Sequence, residues 1–533
     1  MNKLFTVITG LLLMVTFHAE AADFETAKDA VKNMGVGWNL GNTLDACSGS
    51  AQGLESETYW GQPKTKPELM KMMKEAGFSA IRVPVTWYNH MDADGKVDEA
   101  WMKRVHEIVD YVINQGLYCI VNVHHDTGDG KQWLHASKTT YNSNKAKFEY
   151  LWRQIASEFK DYDQKLLFEA YNEMLDDNNR WNEPAAQDGY DAINKYAKSF
   201  VSTVRNTGGN NKLRNLIVNT YSASSAPNAM KALELPETSG HIIFQLHSYP
   251  NWQNETNAKR EIDNLISNIK SNLLNRAPVI IGEYATFTTW PSNIDYYDTN
   301  RSVALYAMDY LIKQAKIAGI GTFYWMGLSD GAARTTPVFN QADLAETLIK
   351  AYYGSIDGYT FPIYDTSKGT VVFEGEKQLE WGQAVNFPPS LFAELDNSTF
   401  VEVTYEQKHV EGYGMLQFWY NDWSVKIDFM VDGKNYSADF TPSDHYGTPD
   451  GTVHTTAFSF DENTFSNIKK KGVLFQGHGI VVKKAILTKT PTGISTIVVN
   501  SLGNEVLYNL NGQRVEKPQR GLYIQNGKKY MVK

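Results

Sequence analysis

Eight short apolar runs recur along the first two thirds of the chain, with amphipathic stretches between them. The apolar runs span residues 34–40, 80–85, 117–123, 165–171, 215–219, 242–246, 278–282 and 321–325. Apolar residues at spacings of three and four predict helices at 67–76, 101–114, 148–159, 190–205, 303–318 and 344–353. Eight strand and helix units predict a (β/α)₈ TIM barrel over residues 22–354, with its active site at the carboxyl ends of the strands. A doubly wound sheet is the alternative.

The pattern changes after residue 354 to short alternating runs separated by Gly, Asp, Asn and Pro. The runs at 370–373, 400–405, 416–419, 425–431 and 479–487 predict a β-sandwich over residues 355–490. Its aromatic residues either form a sugar-stacking platform or fill the core, and the sequence favours neither reading. The platform candidates are Tyr413, Trp419, Trp423 and Tyr446. Residues 491–533 predict a separate small β tail, with a hairpin turn at Asn511 and Gly512.

The N-terminus has the layout of a cleavable secretory signal over residues 1–21. Lys3 precedes an apolar stretch at 4–17, and Ala19-Glu20-Ala21 stands before the expected cleavage point. The stretch is too short to span a bilayer comfortably, so no membrane-spanning segment is expected. Cys119 lies in an apolar run, which favours a buried free thiol over a disulfide with Cys47.

Composition narrows the class of partner. The chain of 533 residues is too long for one ordinary domain, and 42% hydrophobic residues can fill large cores. A net charge of -9 argues against nucleic acid and anionic membrane surfaces, both of which attract clustered Lys and Arg. The 13 Trp and 30 Tyr would suit the C–H faces of sugars, although cores also use aromatic residues.

Two glutamates follow strands four and seven. Glu173 is the second-last residue of the segment LLFEAYNEM at 166–174, and Glu283 lies in PVIIGEY at 278–284. Cleavage of a glycosidic bond needs a carboxylic acid for the leaving oxygen and a second carboxylate as nucleophile or base, so this pair predicts a glycosidase. Arg82 lies inside a strand, where a buried guanidinium must pair with a carboxylate. Glu283 is the candidate for that carboxylate.

Other polar side chains near the strand ends allow more than one reading. His247 and Tyr249 are two residues apart, so their side chains point to the same side if the strand continues. The phenol of Tyr249 is then expected to orient Glu283. His247 could instead be a buried structural histidine. The amide of Asn172 either contacts a sugar 2-hydroxyl or stabilises a turn. Glu169 is expected in a structural ion pair.

A metal site is the main rival chemistry. His124, His125 and Asp126, with His247, are residue types that bind metals in hydrolases. Neighbouring strand residues point to opposite sides, so His124 and His125 are not expected to share an ion, and neither a metal nor another cofactor is predicted.

Six segments occur in the order typical of glycoside hydrolase family 5. They are NMGVGWNLGNTLDA (33–46), AIRVPVTW (80–87), VNVHHD (121–126), FEAYNE (168–173), LHSYP (246–250) and IIGEY (280–284). Residues 23–354 resemble in particular the endo-β-1,4-glucanases and xyloglucanases of that family. The resemblance implies a retaining mechanism with Glu173 as acid/base and Glu283 as nucleophile. It also implies a supporting set of Arg82, His124, Asn172, His247, Tyr249 and Trp325, to which we add Asn42, His125, Trp133 and Trp252 as substrate-contact candidates.

Two positions depart from the family pattern. Met174 replaces the usual Pro after the acid/base, and Trp325-Met326-Gly327 replaces the usual Trp-Asp-Asn after strand eight. The second departure bears on sugar contacts beside the cleavage point. We expect a nearby negative charge to raise the pKa of Glu173, and Arg82 and Tyr249 to hold Glu283 ionised.

The expected function is therefore a secreted, retaining endo-β-1,4-glucanase acting on a β-glucan. Other loop aromatics, Trp60, Trp87, Tyr88, Trp181 and Trp290, fit a long open cleft. Xyloglucanase, xylanase, lichenase and mannanase activities remain open, and the alternative of another class is a non-catalytic glycan-binding protein. The segments YNLNGQRV and GLYIQNGKKYMVK resemble type IX sorting tails, which implies export to the surface or medium of a Gram-negative bacterium. The enzyme is expected to be a monomer.

Overall fold

The computed structural model describes most of the chain. It covers residues 24–47, 53–127, 133–249, 252, 254–288, 295–355, 358–363, 369–393, 395–407, 415–431, 434–437 and 453–489, and four short strands after residue 506. The predicted signal at 1–21 lies outside the described residues.

The eight predicted strands form a closed parallel barrel. They are β1 (Val36–Asn39), β2 (Ala80–Val83), β3 (Tyr118–Asn122), β4 (Leu166–Glu169), β5 (Leu216–Asn219), β6 (Ile242–Ser248), β7 (Val279–Tyr284) and β8 (Gly321–Trp325). Gly37 of β1 lies opposite both Ala80 and Phe323, which closes the ring and excludes the doubly wound alternative. The TIM barrel prediction is confirmed.

Ten helices surround or close the barrel in its described part. They are α1 (Ala27–Met34), α2 (Pro67–Glu75), α3 (Glu99–Ile113), α4 (Lys138–Glu158), α5 (Gln187–Asn206), α6 (Pro227–Ala232), α7 (Glu255–Asn272), α8 (Tyr296–Thr299), α9 (Arg301–Ala318) and α10 (Ala342–Tyr353). The prediction at 148–159 was short by ten residues at its start, because the first turns of α4 are polar and lack an apolar stripe.

The short helix α1 closes the floor of the barrel. Its buried side chains Val31 and Met34 pack with Ile120 and Phe323 from the barrel interior. The fit is close, because a Cβ on Gly37 would lie 2.3 Å from the Phe323 ring. Apolar side chains therefore fill the lower half of the barrel and leave the carboxyl-end half for polar groups.

The second domain is a two-sheet β-sandwich, as predicted. One sheet has the order β10 (Ala384–Phe387), β17 (Val473–His478), β12 (Met415–Tyr420), β13 (Lys426–Ile427). The other has the order β15 (Lys434–Tyr436), β14 (Phe429–Val431), β16 (Val453–Ser459), β11 (Phe400–Gln407), β18 (Ile480–Thr488), β9 (Thr370–Leu379). Phenylalanines at 418, 429, 458 and 475 form the centre of its core.

Two details of the sandwich differ from the prediction. The run at 425–431 was predicted as one strand, but the chain crosses between sheets at Asp428 and forms β13 and β14. The lysine-rich segment before β17 forms helix α11 (Glu462–Lys471), which buries Phe465 and Ile468 against the core.

The C-terminal segment contains a four-stranded sheet of order β20 (Arg514–Val515), β19 (Leu507–Asn509), β21 (Gly521–Gln525), β22 (Lys528–Val532). The turn predicted at Asn511 and Gly512 lies outside the described residues, although β19 and β20 on either side of it pair antiparallel. Within the parts of the chain described above, no helix is long and apolar enough to cross a bilayer.

Candidate active site

A layer of buried polar side chains fills the barrel at the carboxyl ends of its strands. The layer consists of Asn39, Arg82, Asn122, Glu169, Asn219 and Gln245, all fully buried. The Gln245 side chain of this layer packs against the backbone of Gly282, where a Cβ would lie only 2.4 Å from it. Sequence reasoning missed the four amides, although three of them end strands β1, β3 and β5.

Arg82 is the centre of this layer. Its Nε and Nη2 donate to the two carboxylate oxygens of Glu169 at 2.6 and 2.8 Å, and its Nη1 donates to Glu283 at 2.7 Å. Nη2 also donates to Oδ1 of Asn172 at 2.8 Å, and Nη1 to Asn39 at 2.9 Å. The predicted pairing of Arg82 with Glu283 is present, and the predicted structural ion pair of Glu169 is its bidentate contact with Arg82.

Both carboxylate oxygens of Glu283 accept hydrogen bonds. Tyr249 donates its hydroxyl to Oε2 of Glu283 at 2.6 Å, opposite the contact from Arg82 to Oε1. Burial raises the pKa of Glu283, while His247, Arg82 and the Tyr249 hydroxyl oppose that rise. The expectation that Arg82 and Tyr249 hold Glu283 ionised therefore needs correction: both lower its pKa, but loss of hydration is the larger influence and the net shift is upward.

Glu173 is less constrained and more open. Its side chain is 22% exposed, against 4% for Glu283, and Nδ1 of His247 lies 2.7 Å from its Oε1. Burial raises the pKa of Glu173 to about 7, Arg82 opposes the rise and Glu169 adds to it. The predicted direction is confirmed, but burial rather than a neighbouring negative charge is the main cause.

His247 lies between the two carboxylates. Its Nδ1 is 2.7 Å from Glu173 and 3.4 Å from Glu283. Burial lowers the pKa of His247 to about 4, so the ring is neutral near pH 7. A carboxylate oxygen of Glu173 lies within 4.8 Å of one from Glu283. This approach of two oxygens agrees with the roughly 5–5.5 Å between the carboxyl groups of a retaining glycosidase.

The two adjacent histidines lie side by side, contrary to the prediction. Strand β3 ends at Asn122, so His124 and His125 follow it in a turn where strand alternation does not apply. Their rings are perpendicular, with centroids 4.5 Å apart. Donor atoms of Asp45, His124 and His125 lie within 4.8 Å of one another, but both Asp45 oxygens already accept backbone N–H groups, from Asn42 and Thr43.

Trp325 and Asn42 flank this region. The Trp325 ring stacks on His124, with centroids 5.8 Å apart and planes 3° from parallel. Met326, the departure noted after strand eight, adopts a positive φ of 29°, and its carbonyl accepts the Trp38 indole N–H at 3.2 Å. Asn42 also has a positive φ, of 60°, so its backbone forms the turn after β1.

The loop aromatics divide into exposed and buried residues. Trp252 is 4% exposed and packs with the barrel core, and its role as a sugar contact stays a prediction. Trp87 is also buried. Trp133 is half-buried, and its indole N–H donates to Asp126 at 2.7 Å. Trp60 and Trp181 are exposed, Tyr88 is half-buried, and Trp290 lies outside the described residues.

Comparison with known proteins identifies the family to which the barrel domain belongs. The model of the cellulase family, glycosyl hydrolase family 5, matches residues 43–330, which is more than half of the chain. The chain belongs to glycosyl hydrolase family 5.

Relatives in this family include endoglucanases. Endoglucanase B of Neocallimastix patriciarum is 35% identical over 66% of this chain and 75% of its own length. Endoglucanase A of Ruminococcus albus is 36% identical over 56% of this chain and 83% of its own length. The chain therefore carries a family 5 cellulase domain, and retention of configuration is general to that family.

Two solved structures of family 5 enzymes align with the barrel. A GH5-4 broad-specificity endoglucanase from an uncultured bacterium is 52% identical, with a TM-score of 0.61 over 62% of this chain and 97% of that one. A Prevotella bryantii enzyme, crystallised as a mutant with a xyloglucan tetradecasaccharide, is 44% identical, with a TM-score of 0.59 over 62% and 99%.

Proposed function

We propose that the chain is a secreted endo-β-1,4-glucanase in which Glu283 is the nucleophile and Glu173 the acid/base. The proposal rests on the difference in burial and hydrogen bonding between the two glutamates. Glu283 is buried and receives hydrogen bonds from Arg82 and Tyr249, which favour a fixed carboxylate. Glu173 is more open and has a pKa of about 7, which suits a group that gives and then takes a proton.

In the first step, an oxygen of Glu283 attacks the anomeric carbon. The bond from that carbon to the leaving sugar oxygen breaks, and Glu173 transfers its proton to the departing oxygen. The product is a glycosyl ester on Glu283, with Glu173 left as a carboxylate.

In the second step, Glu173 removes a proton from a water molecule. The water oxygen attacks the anomeric carbon, the ester bond breaks, and the Glu283 carboxylate is restored with Glu173 again protonated. Two inversions give net retention, in agreement with the short distance between the carboxylates.

The surrounding side chains orient sugar and carboxylates. Asn172 accepts from Arg82 through Oδ1, which leaves its Nδ2 to donate to the sugar 2-hydroxyl. Trp325, stacked on His124, offers a ring beside the cleavage point. His124 is neutral, because burial lowers its pKa, so it contacts hydroxyls without placing a charge there.

Leaving-group chemistry tests the two roles separately. An aryl cellobioside with an acidic phenol leaves without a proton, so Glu173→Gln should still release a first equivalent of phenol on it but cleave polymer poorly. Glu283→Gln should do neither. Release of phenol by Glu283→Gln, or equal loss in both variants on both substrates, would contradict the assignment.

The substrate proposal rests on the barrel's relatives. A broad-specificity endoglucanase and a xyloglucan-bound enzyme are among the similar structures, so we propose internal β-1,4 cleavage of glucans, with or without xylosyl branches. Reducing-end release from carboxymethylcellulose, mixed-linkage glucan, xyloglucan, xylan and glucomannan tests this range. Release from xylan or glucomannan alone would favour xylanase or mannanase. Inactivity on every polymer together with binding would favour the non-catalytic alternative.

Export is the remaining part of the proposal. Residues 1–21 have the layout of a signal peptide, and residues 491–533 resemble a sorting tail. We expect the mature, monomeric enzyme to lack both segments, and to contain the barrel and the sandwich. Intact-mass measurement and light scattering on the secreted protein check this, and a periplasmic product with its tail intact would contradict it.

A further inference from the structure

Arg334, in a turn that follows strand β8, is a buried cation outside the catalytic layer. The turn spans Gly331–Arg334, and the Arg334 side chain is 1% exposed. Among the described residues no carboxylate pairs with its guanidinium, and Asp330 and Asp45 act on its charge only from further away. Burial lowers the pKa of Arg334 to about 10, so the group stays charged near pH 7. A buried charge without a paired carboxylate is costly, so its position needs an explanation.

The Arg334 guanidinium donates to backbone carbonyls on two different loops. Its Nε donates to the Ser329 carbonyl at 2.7 Å, and its Nη1 donates to the Gly41 carbonyl at 2.8 Å. Its central carbon lies 5.0 Å from the centre of the Trp38 ring. Ser329 follows β8 and Gly41 follows β1, the two strands whose pairing closes the barrel. Arg334 therefore joins the loops that leave the carboxyl ends of these two strands.

The Gly41 backbone is in turn the surface against which the Trp325 ring packs. A Cβ on Gly41 would lie 2.8 Å from the six-membered ring of the Trp325 indole, closer than real Cβ atoms come to other atoms. The same indole stacks on His124. Because only glycine leaves room for the ring at position 41, the position of the Gly41 backbone determines the position of the Trp325 ring. A shift of the Gly41 carbonyl would let the ring move.

Strand β9 of the sandwich lies against the turn that carries Arg334. Thr335, directly after the turn, donates its hydroxyl to the Glu374 carbonyl of β9 at 3.0 Å. Gly331, at the start of the turn, also lies close to β9, because a Cβ there would be 3.9 Å from the Val372 carbonyl oxygen. The sandwich therefore contacts the turn at both of its ends.

We propose that Arg334 is a positioning residue that holds the sugar-contacting ring of Trp325, and that strand β9 of the sandwich fixes the turn carrying it. The proposal rests on the proposed glucanase function, in which Trp325 offers its ring beside the cleavage point. Arginine suits this role, because its planar fork donates in fixed directions to two carbonyls, whereas lysine is a single point of charge. The sandwich then contributes to catalysis in the barrel without binding sugar itself.

The test measures kcat/KM of the full chain on an aryl cellobioside with an acidic phenol, which keeps slow variants measurable. Arg334→Lys should lower kcat/KM roughly three- to tenfold, the worth of an aromatic contact that is partly lost. In a Trp325→Ala background, which lacks the ring, the same change should cost less than about twofold, because residues that act through one contact are not additive.

Two further variants complete the test. Thr335→Val removes the hydroxyl donated to β9 and should lower kcat/KM roughly two- to threefold, again only while Trp325 is present, so it decides the proposal even if Arg334→Lys does not fold. Arg214→Lys is the matched control, because Arg214 is also fully buried and donates to backbone carbonyls, but it lies just before β5 at the opposite end of the barrel. It should lower the melting temperature as Arg334→Lys does, and leave kcat/KM unchanged.

Each outcome has one meaning. An unchanged kcat/KM in Arg334→Lys overturns the positioning role. An equal fall with and without the Trp325 ring, or a fall matched by Arg214→Lys, also overturns it, since either result would reflect a general loss of stability. An unchanged kcat/KM in Thr335→Val overturns the part assigned to β9. Wild-type enzyme that releases no phenol would refute the proposed glucanase function, which is a separate result.

Discussion

Arg82 and Glu283 form a buried ion pair at 2.7 Å, and neither side chain exposes more than 4% of its surface. The same guanidinium also holds Glu169. Two carboxylates share one cation, so the catalytic layer depends on a single residue of strand β2.

Replacing Arg82 should destabilise the fold. Arg82→Met leaves Glu169 and Glu283 buried without a cation, and breaking such a pair costs about 3–5 kcal/mol. Chemical denaturation measures the free energy of unfolding. Arg301→Met is the control, because its pair with Asp343 is largely exposed and should cost at most about 1 kcal/mol. Equal losses in the two variants would show that Arg82 has no special structural role.

Activity should fall as pH rises through about 7. Glu173 must be protonated to release a sugar leaving group, and its raised pKa of about 7 places the alkaline limb of kcat/KM there. The acid limb should lie above the ordinary carboxyl range, because burial raises the pKa of Glu283, which must be ionised to attack. The pH profile on cellotetraose measures both limbs.

An aryl cellobioside with an acidic phenol provides the control for the alkaline limb. Its departure needs no proton, so the limb should flatten when glycosylation is followed. An unchanged limb on that substrate would assign it to a group other than Glu173.

Tyr249→Phe should reduce both catalysis and stability. The variant removes a 2.6 Å hydrogen bond to the Glu283 carboxylate, and such bonds contribute about 1.5–3 kcal/mol, or roughly ten- to 150-fold in rate. Steady-state kinetics and thermal melting measure the two effects. Tyr310→Phe removes a similar bond, to Asp263 at the surface, and should leave kcat/KM unchanged. A Tyr249→Phe enzyme with wild-type kinetics would remove Tyr249 from the site.

The two thiols should differ in reactivity. Cys119 is fully buried in β3, and burial raises the pKa of its thiol, so a thiol reagent should reach it after unfolding and not before. In Cys47→Ser, the native protein should give no rapid colour with an aromatic disulfide reagent, and denaturant should release one equivalent. Rapid reaction in the native variant would mean that β3 opens locally.

The strands of the barrel could be predicted from sequence because they are buried on both faces. Such strands appear as continuous apolar runs, and each prediction overlaps the observed strand. The first turns of α4 and the lysine-rich α11 lack a clear stripe, so their helical state depends on tertiary packing.

At the site, strand-end residue types indicated the two glutamates, Arg82 and Tyr249. The geometry of the turns and the burial of the side chains could not be predicted from residue types in the same way. His124 and His125 meet because β3 ends before them, and Trp252 is buried because the barrel core covers it. The pKa of Glu173 depends on how much water the fold excludes, which no local pattern encodes.

Helix α1 has a practical consequence for handling the enzyme. It closes the barrel at the face opposite the carboxylates, where Thr26 caps its start and Ala27 is hydrogen-bonded to Gly240. An affinity tag or surface attachment placed just ahead of Thr26 would extend from the face of the barrel opposite the active site. Immobilised enzyme joined through that end would present its open cleft to a polymer in solution.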